Sequence, residues 1–130
     1  MRYLLMVRTD EIAEAGINRD DEKVVQGNRL IHEMIGAKVL IAADGLLPSA
    51  YGAVVTIASG KPKVTEGGAT RDRNPVGAFA LIDVASKDDA TEWAGRFALA
   101  HSQAQIEVRQ IAELSDFGPL ARELSRHRAD

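Results

Sequence analysis

The chain has 130 residues, 45% of them hydrophobic and 27% charged, which is the length of one domain with its own core and the composition of an ordinary globular protein. It contains no cysteine, which excludes a disulfide framework, a thiol nucleophile and a thiolate metal site. A net charge of −3 argues against the basic footprint of a nucleic-acid binder. His32, His101 and His127 lie too far apart for metal-ligand spacing, so neither metal nor cofactor is predicted. The opening apolar residues meet Arg8 before a leader of useful length can form, and the longest uncharged run, Gly45 to Gly60, is interrupted by Pro48 and Gly52. These features predict a cytoplasmic protein with no membrane partner.

Tyr3 to Val7 is a short apolar run ended by Arg8-Thr9-Asp10 and predicts a buried strand. Residues 9 to 20 are mixed and polar, a loop. Asp20-Asp21-Glu22 then favours a helix N-terminus, and Val24, Gly27, Ile31, Met34 and Ile35 follow at helical spacing to about Ala37. Val39 to Ala42 predicts a strand. Ala53 to Ala58 and Lys63 to Thr65 predict a hairpin turning over Ser59-Gly60-Lys61-Pro62. Residues 66 to 75 are loop-like, and Val76 to Val84 is the clearest central strand. Ser86 is a good helix cap, with Ala90, Trp93, Ala94, Phe97 and Ala98 at helical spacing behind it. Ile106 to Ile111 alternates with period two, a strand with one wet face. Asp116-Phe117-Gly118 predicts a turn and Pro119 to Arg128 a terminal helix, about 117–128 in all.

This order predicts a single α+β domain over residues 1–130, in which two helices cover one face of a mostly antiparallel sheet: the ferredoxin-like, split β-α-β arrangement. The opposite face, expected to carry Phe79, Leu81 and Val54 or Val55, would then lie bare. A second copy of the chain is the simplest cover.

Several segments resemble the YCII-related, or DGPF-domain, family of small bacterial proteins. They are the opening Met1 to Val7, Val39 to Ser49 with its Asp44-Gly45-Leu46 turn and Pro48, Gly60-Lys61-Pro62 running into Glu66-Gly67, Val76 to Val84, and Glu107-Val108-Arg109. Where the family has Asp-Gly-Pro-Phe, this chain has Glu66-Gly67-Gly68-Ala69; where the family has a helix-ending Gly, it has Lys38. The resemblance implies a dimeric α/β barrel of two sheets packed face to face. It also implies a small anionic ligand in some relatives, acted on through a His-Asp pair, and in others a protein partner linked to transcription through sigma factors. The enzymatic relatives begin their first helix with Arg-Pro-x-His, whereas this chain reads Lys23-Val24-Val25-Gln26-Gly27.

The residue types suggest three acid–base candidates and one ligand loop. His32 titrates near neutrality and could serve as a base; its plainer reading is a polar helix-face residue. Glu66, Gly67 and Gly68, followed by Arg71 and Arg73, combine close backbone approach with two guanidiniums for a carboxylate or phosphate; the alternative is a solvated connector. Asp83 ends the central strand on the face of Phe79 and Leu81 and either orients a base or makes a turn. Trp93 and Phe97 read as core, and the arginines at 122, 126 and 128 as a solvated helix face. Two functions follow. The first is a dimeric small-molecule-binding or regulatory module without catalysis, which the missing helix-start histidine favours. The other is an acid–base enzyme of isomerase or lyase type, with Glu66 or His32 moving a proton and Arg71 or Arg73 holding the anion.

Overall fold

The computed structural model describes residues 1–8, 21–67, 75–101, 105–120 and 123. Six strands and two helices follow in chain order: β1 Arg2–Arg8, α1 Asp21–Gly36, β2 Leu40–Gly45, β3 Ala53–Ala58, β4 Lys61–Glu66, β5 Val76–Asp83, α2 Lys87–His101 and β6 Ile106–Gln110. Short 3-10 segments lie at Ser49–Tyr51 and Leu114–Leu120. Four strands form one sheet in the order β2-β5-β1-β6, and each neighbouring pair is antiparallel. With the two helices as crossovers, this order agrees with the predicted split β-α-β arrangement. In the single chain the sheet does not close on itself; its outer strands are β2 and β6.

Alternation along the strands decides where the core sits. On β1 the odd residues Tyr3, Leu5 and Val7 are buried, and on β5 the even residues Ala80 and Ile82. The register sets Tyr3 against Ile82 and Leu5 against Ala80, so these side chains share one face. Leu30 and Met34 from α1 and Ala90, Ala94 and Phe97 from α2 pack onto it. Small alanines at 80, 90 and 94 let the helices approach closely, while Leu5, Met34 and Ile82 fill the centre with no exposure. The helix periodicity was thus legible, with two changes in detail. Leu30 is core although the predicted apolar set omitted it, and Ile35 is exposed. The side chain of Val24 lies outside the described residues.

Local chemistry sets the ends of both helices. The Asp89 N–H donates to Ser86 Oγ at 3.1 Å, the predicted cap of α2. At the end of α1 the chain turns through Lys38 at φ 60°. The Val39 N–H donates to the Met34 carbonyl at 3.1 Å and the Lys38 N–H to the Ile35 carbonyl at 3.0 Å. That is a Schellman motif with lysine in the left-handed position where glycine is favoured. Its hydrophobic contact is Val39 on the core beside Met34.

Three expectations need correction. The residues Val54 and Val55 do not belong to the open face of the main sheet, because β3 and β4 form a separate two-stranded sheet. The hairpin turn is tighter than the predicted four residues. Ser59 and Gly60 both take positive φ (51° and 76°), while Lys61 and Pro62 already pair with Ala58 and Ile57. A two-residue turn of that kind matches the twist of the strands, which the looser turn would splay. The predicted helix over about 117–128 begins instead as the 3-10 segment Leu114–Leu120, broken at Gly118 with φ 59°. The Glu113 N–H donates to the Asp116 carboxylate at 2.8 Å, so Asp116-Phe117-Gly118 is turn chemistry, as the sequence predicted. Residues 121–122 and 124–130 lie outside the described residues, as does the predicted loop at 9–20.

The left-handed lysine makes a direct test. A non-glycine residue in this conformation costs ~1–2 kcal/mol, of which glycine returns ~0.5–1 through its freer unfolded chain. Lys38→Gly is therefore expected to stabilise the protein by about 0.5–1 kcal/mol in urea unfolding. An unchanged or lowered midpoint would show that the helix end carries no such strain.

Candidate functional site

The main sheet's second face is built by the residues that alternate with the core. Even residues of β1 lie there, and the register aligns each with its neighbours. Leu4 stands between Leu81 and Arg109, and Met6 between Phe79 and Glu107. On β2 a bulge at Ile41 resets the alternation, so that Ala42 stands beside Leu81 and Asp44 beside Phe79. The centre of this face is thus Leu4, Met6, Phe79 and Leu81, all partly buried. Among the described residues no helix lies on it.

Charges line its two long sides. Glu107 on β6 accepts from Arg8 Nη2 at 3.1 Å and from Arg109 Nη1 at 3.2 Å. These hydrogen bonds, that from Arg109 first and that from Arg8 second, hold the Glu107 carboxyl below the usual carboxylate range against the weaker effect of burial. One carboxylate shared by two guanidiniums leaves a positive charge in excess on this side. Asp44 supplies a negative charge on the other, three strand spacings or about 14 Å away. An apolar floor with a cationic rim suits a small molecule that has an apolar body and an anionic end.

At one end of the face Arg2 lies opposite Asp83. Arg2 Nε and Nη2 donate to the two carboxylate oxygens of Glu113 at 3.0 and 3.2 Å, a bidentate fork. Glu113, and Asp83 more weakly, raise the Arg2 pKa still further above its high ordinary value. The Asp83 carboxylate accepts from the Met1 ammonium at 3.0 Å, and its N–H donates to the Val39 carbonyl at 2.8 Å. Asp83 does share the face of Phe79 and Leu81, and its hydrogen bonds tie down strand ends.

The remaining sequence candidates are dispersed. His32 is exposed on α1, in the helix layer on the other side of the sheet. Glu66 is exposed at the root of the hairpin, opposite Ala53. Gly67 follows at φ 74°, and its N–H donates to the Gly52 carbonyl at 2.8 Å, which closes that root. Asp83 stands at the end of β5 farthest from the residues leading out of the hairpin, about 23 Å of strand away. No described contact joins His32, Glu66 and Asp83. Gly68, Arg71 and Arg73 lie outside the described residues.

A shallow groove of ≈ 260 Å³ runs between α1 and α2, with Gln26, Arg29, Leu30 and Leu99 among its lining residues. Arg96 beside it is already engaged, paired with Glu33 and stacked 4.7 Å above the Trp93 ring. Neither His32, Glu66 nor Asp83 lines this groove. Among the described residues no group of three or more His, Asp or Glu side chains is placed to hold a metal ion. No described helix is long and apolar enough to cross a membrane.

Arg8, Glu107, Arg109 and Asp44 were missed as site residues by sequence reasoning. The alternation of Ile106 to Ile111 does put Glu107 and Arg109 on one wet face. Only the register shows that this face also carries Leu4 and Met6. Comparison of the chain with protein-family models and with curated proteins finds no match to either. The likeness to the YCII-related family rests on the sequence motifs quoted above.

The Glu107 cluster has a measurable consequence. A carboxyl with a depressed folded-state pKa adds stability above its unfolded pKa, and that contribution disappears as pH falls through the lower folded value. NMR titration of Glu107 is expected to give a midpoint below that of an unfolded-chain glutamate. Arg109→Gln should move it upward, and more than Arg8→Gln does. A midpoint at the unfolded value would remove this cluster from the site.

Proposed function

We propose that the protein is a homodimer in which two open sheet faces meet as an α/β barrel, and that it serves as a small-molecule-binding or regulatory module. The observation that carries this reading is the stripe Leu4, Met6, Phe79 and Leu81, apolar at the centre of a sheet whose other face is fully used by the helices. A contiguous apolar face on a small domain is characteristically an interface, and an isologous twofold contact lets one surface cover itself. The charged sides favour the same arrangement. A twofold axis parallel to the strands brings the β6 side of one copy, with Arg8 and Arg109, over the β2 side of the other, with Asp44. The dimeric barrel is also what the YCII-related resemblance implies.

The ligand class is a small anion with an apolar body. Arg8 and Arg109 offer a cationic rim to the barrel interior, and Arg71 and Arg73 in the loop after Glu66 and Gly67 offer a second pair. His32, Glu66 and Asp83 sit on separate elements, which favours binding over proton transfer as the primary role. A regulatory role through a protein partner linked to transcription is compatible with this site and rests on the family resemblance alone.

Sedimentation at micromolar concentration is expected to give the mass of two chains. Leu81→Asp should give monomers, because the dimer would bury an unpaired carboxylate in each copy at a cost of several kcal/mol. A wild-type monomer overturns the barrel. Small carboxylates with aromatic or alkyl bodies are expected to raise the melting temperature, by about 2.7 kcal/mol of stabilisation at a hundred times their Kd. In an Arg71→Gln/Arg73→Gln double variant that ligand-dependent rise should vanish. The free protein should melt within about 2 °C of wild type, since exposed charges contribute little to folding. Strong destabilisation of the free variant would instead assign these arginines a structural role.

A further inference from the structure

The β3–β4 hairpin is ordered over six cross-strand pairs from Ala53–Glu66 to Ala58–Lys61, yet almost everything on it faces water. Its two faces differ in chemistry. One carries Val55, Ile57, Pro62 and Val64, brought side by side by the pairs Val55–Val64 and Ile57–Pro62. The other carries Thr56, Lys61, Lys63 and Thr65. Along the apolar face Val55 is 61% and Ile57 71% exposed, and at the root Tyr51 is 77% exposed. A lone two-stranded hairpin is marginal in water and needs something against its apolar side.

We infer that this hairpin is a dimer arm, whose apolar face packs against the second copy of the chain at the flank of the sheet-to-sheet contact. The inference rests on the dimer proposed above and extends it to a surface outside the main sheet. Area is the first argument. The open sheet face, four strands wide and about five residues tall, has a footprint of roughly 300 Å². A stable association needs about 800 Å² from each partner. The sheet alone falls short. Val55, Ile57, Val64, Leu46, Leu47 and Tyr51 are all exposed, and together they present roughly 600 Å², the upper end of the largest patch on a typical monomer. Sheet face and arm together reach the required area, and neither does so by itself.

Position is the second argument. The hairpin leaves the main sheet where β2 ends and β5 begins, at the pair Gly45–Ala78 and the hydrogen bond from the Leu46 N–H to the Gly77 carbonyl at 2.8 Å. It therefore grows from the rim of the face proposed to meet the partner. Its six-residue strands are about 20 Å long, enough to pass across the ~14 Å between the outer strands of a facing sheet. With the apolar face inward, Lys61 and Lys63 remain in water, the usual guard of an exposed strand pair.

The test is the dimer dissociation constant of the full chain by sedimentation, for variants on the two hairpin faces. Val55→Lys/Ile57→Lys should raise it about 100-fold or more, while Thr56→Lys on the opposite face should leave it within about twofold. Far-UV circular dichroism monitors the fold. If the double variant loses structure, Ile57→Ser takes its place and must raise the constant about tenfold. An unchanged constant for the apolar-face variants overturns the arm and leaves the sheet-to-sheet dimer standing, as does equal weakening by the variants on both faces. A wild-type monomer overturns both.

Discussion

Strand β1 has only two faces, and both are committed by its position between β5 and β6. Tyr3, Leu5 and Val7 go to the helices; Leu4 and Met6 go to the other side. Because β1 pairs with both neighbours, its alternation propagates to them through the register. A slip of one residue would put Leu4 and Met6 under the helices and drive Leu5 out. The core, the open face and the charged sides of that face are therefore consequences of one pairing.

The helix layer makes the pairing unambiguous. Met34 and Phe97 reach down onto alanines at 80 and 94, and the small residues accept large ones without a void. The ends of the helices are held by short-range chemistry, Ser86 under α2 and the Schellman turn after α1, so the layer's length is set before it packs. The open face has no comparable partner within the described chain. Its central residues are only partly buried, and its charged residues pair along the face rather than across it.

The hairpin is a different kind of element. Its turn is specified locally by Ser59 and Gly60 in left-handed conformation, and its root by the Gly67 to Gly52 hydrogen bond. Local chemistry thus explains its shape while leaving its apolar face unexplained within one copy. The open sheet and the projecting hairpin both present apolar surface from the same end of the molecule, and both invite one twofold partner.

The sequence by itself determined the elements, because strand alternation, helix periodicity, caps and turns act over a few residues. Tyr3 to Val7, Val76 to Val84, the Ser86 cap and the Asp116-Phe117-Gly118 turn were all legible on that ground. So was Lys38 as a helix end occupying a glycine's position. Tertiary structure alone decided which faces meet. Val54 and Val55 alternate as any half-buried strand does, and nothing in their spacing says that β3 pairs only with β4. Glu107 and Arg109 read as the wet side of a strand until the register set them beside Met6 and Leu4. His32, Glu66 and Asp83 were chosen by residue type, but residue type does not bring side chains together. The physical reason is that periodicity fixes directions within an element, while proximity between elements depends on pairing and packing across tens of residues of intervening chain.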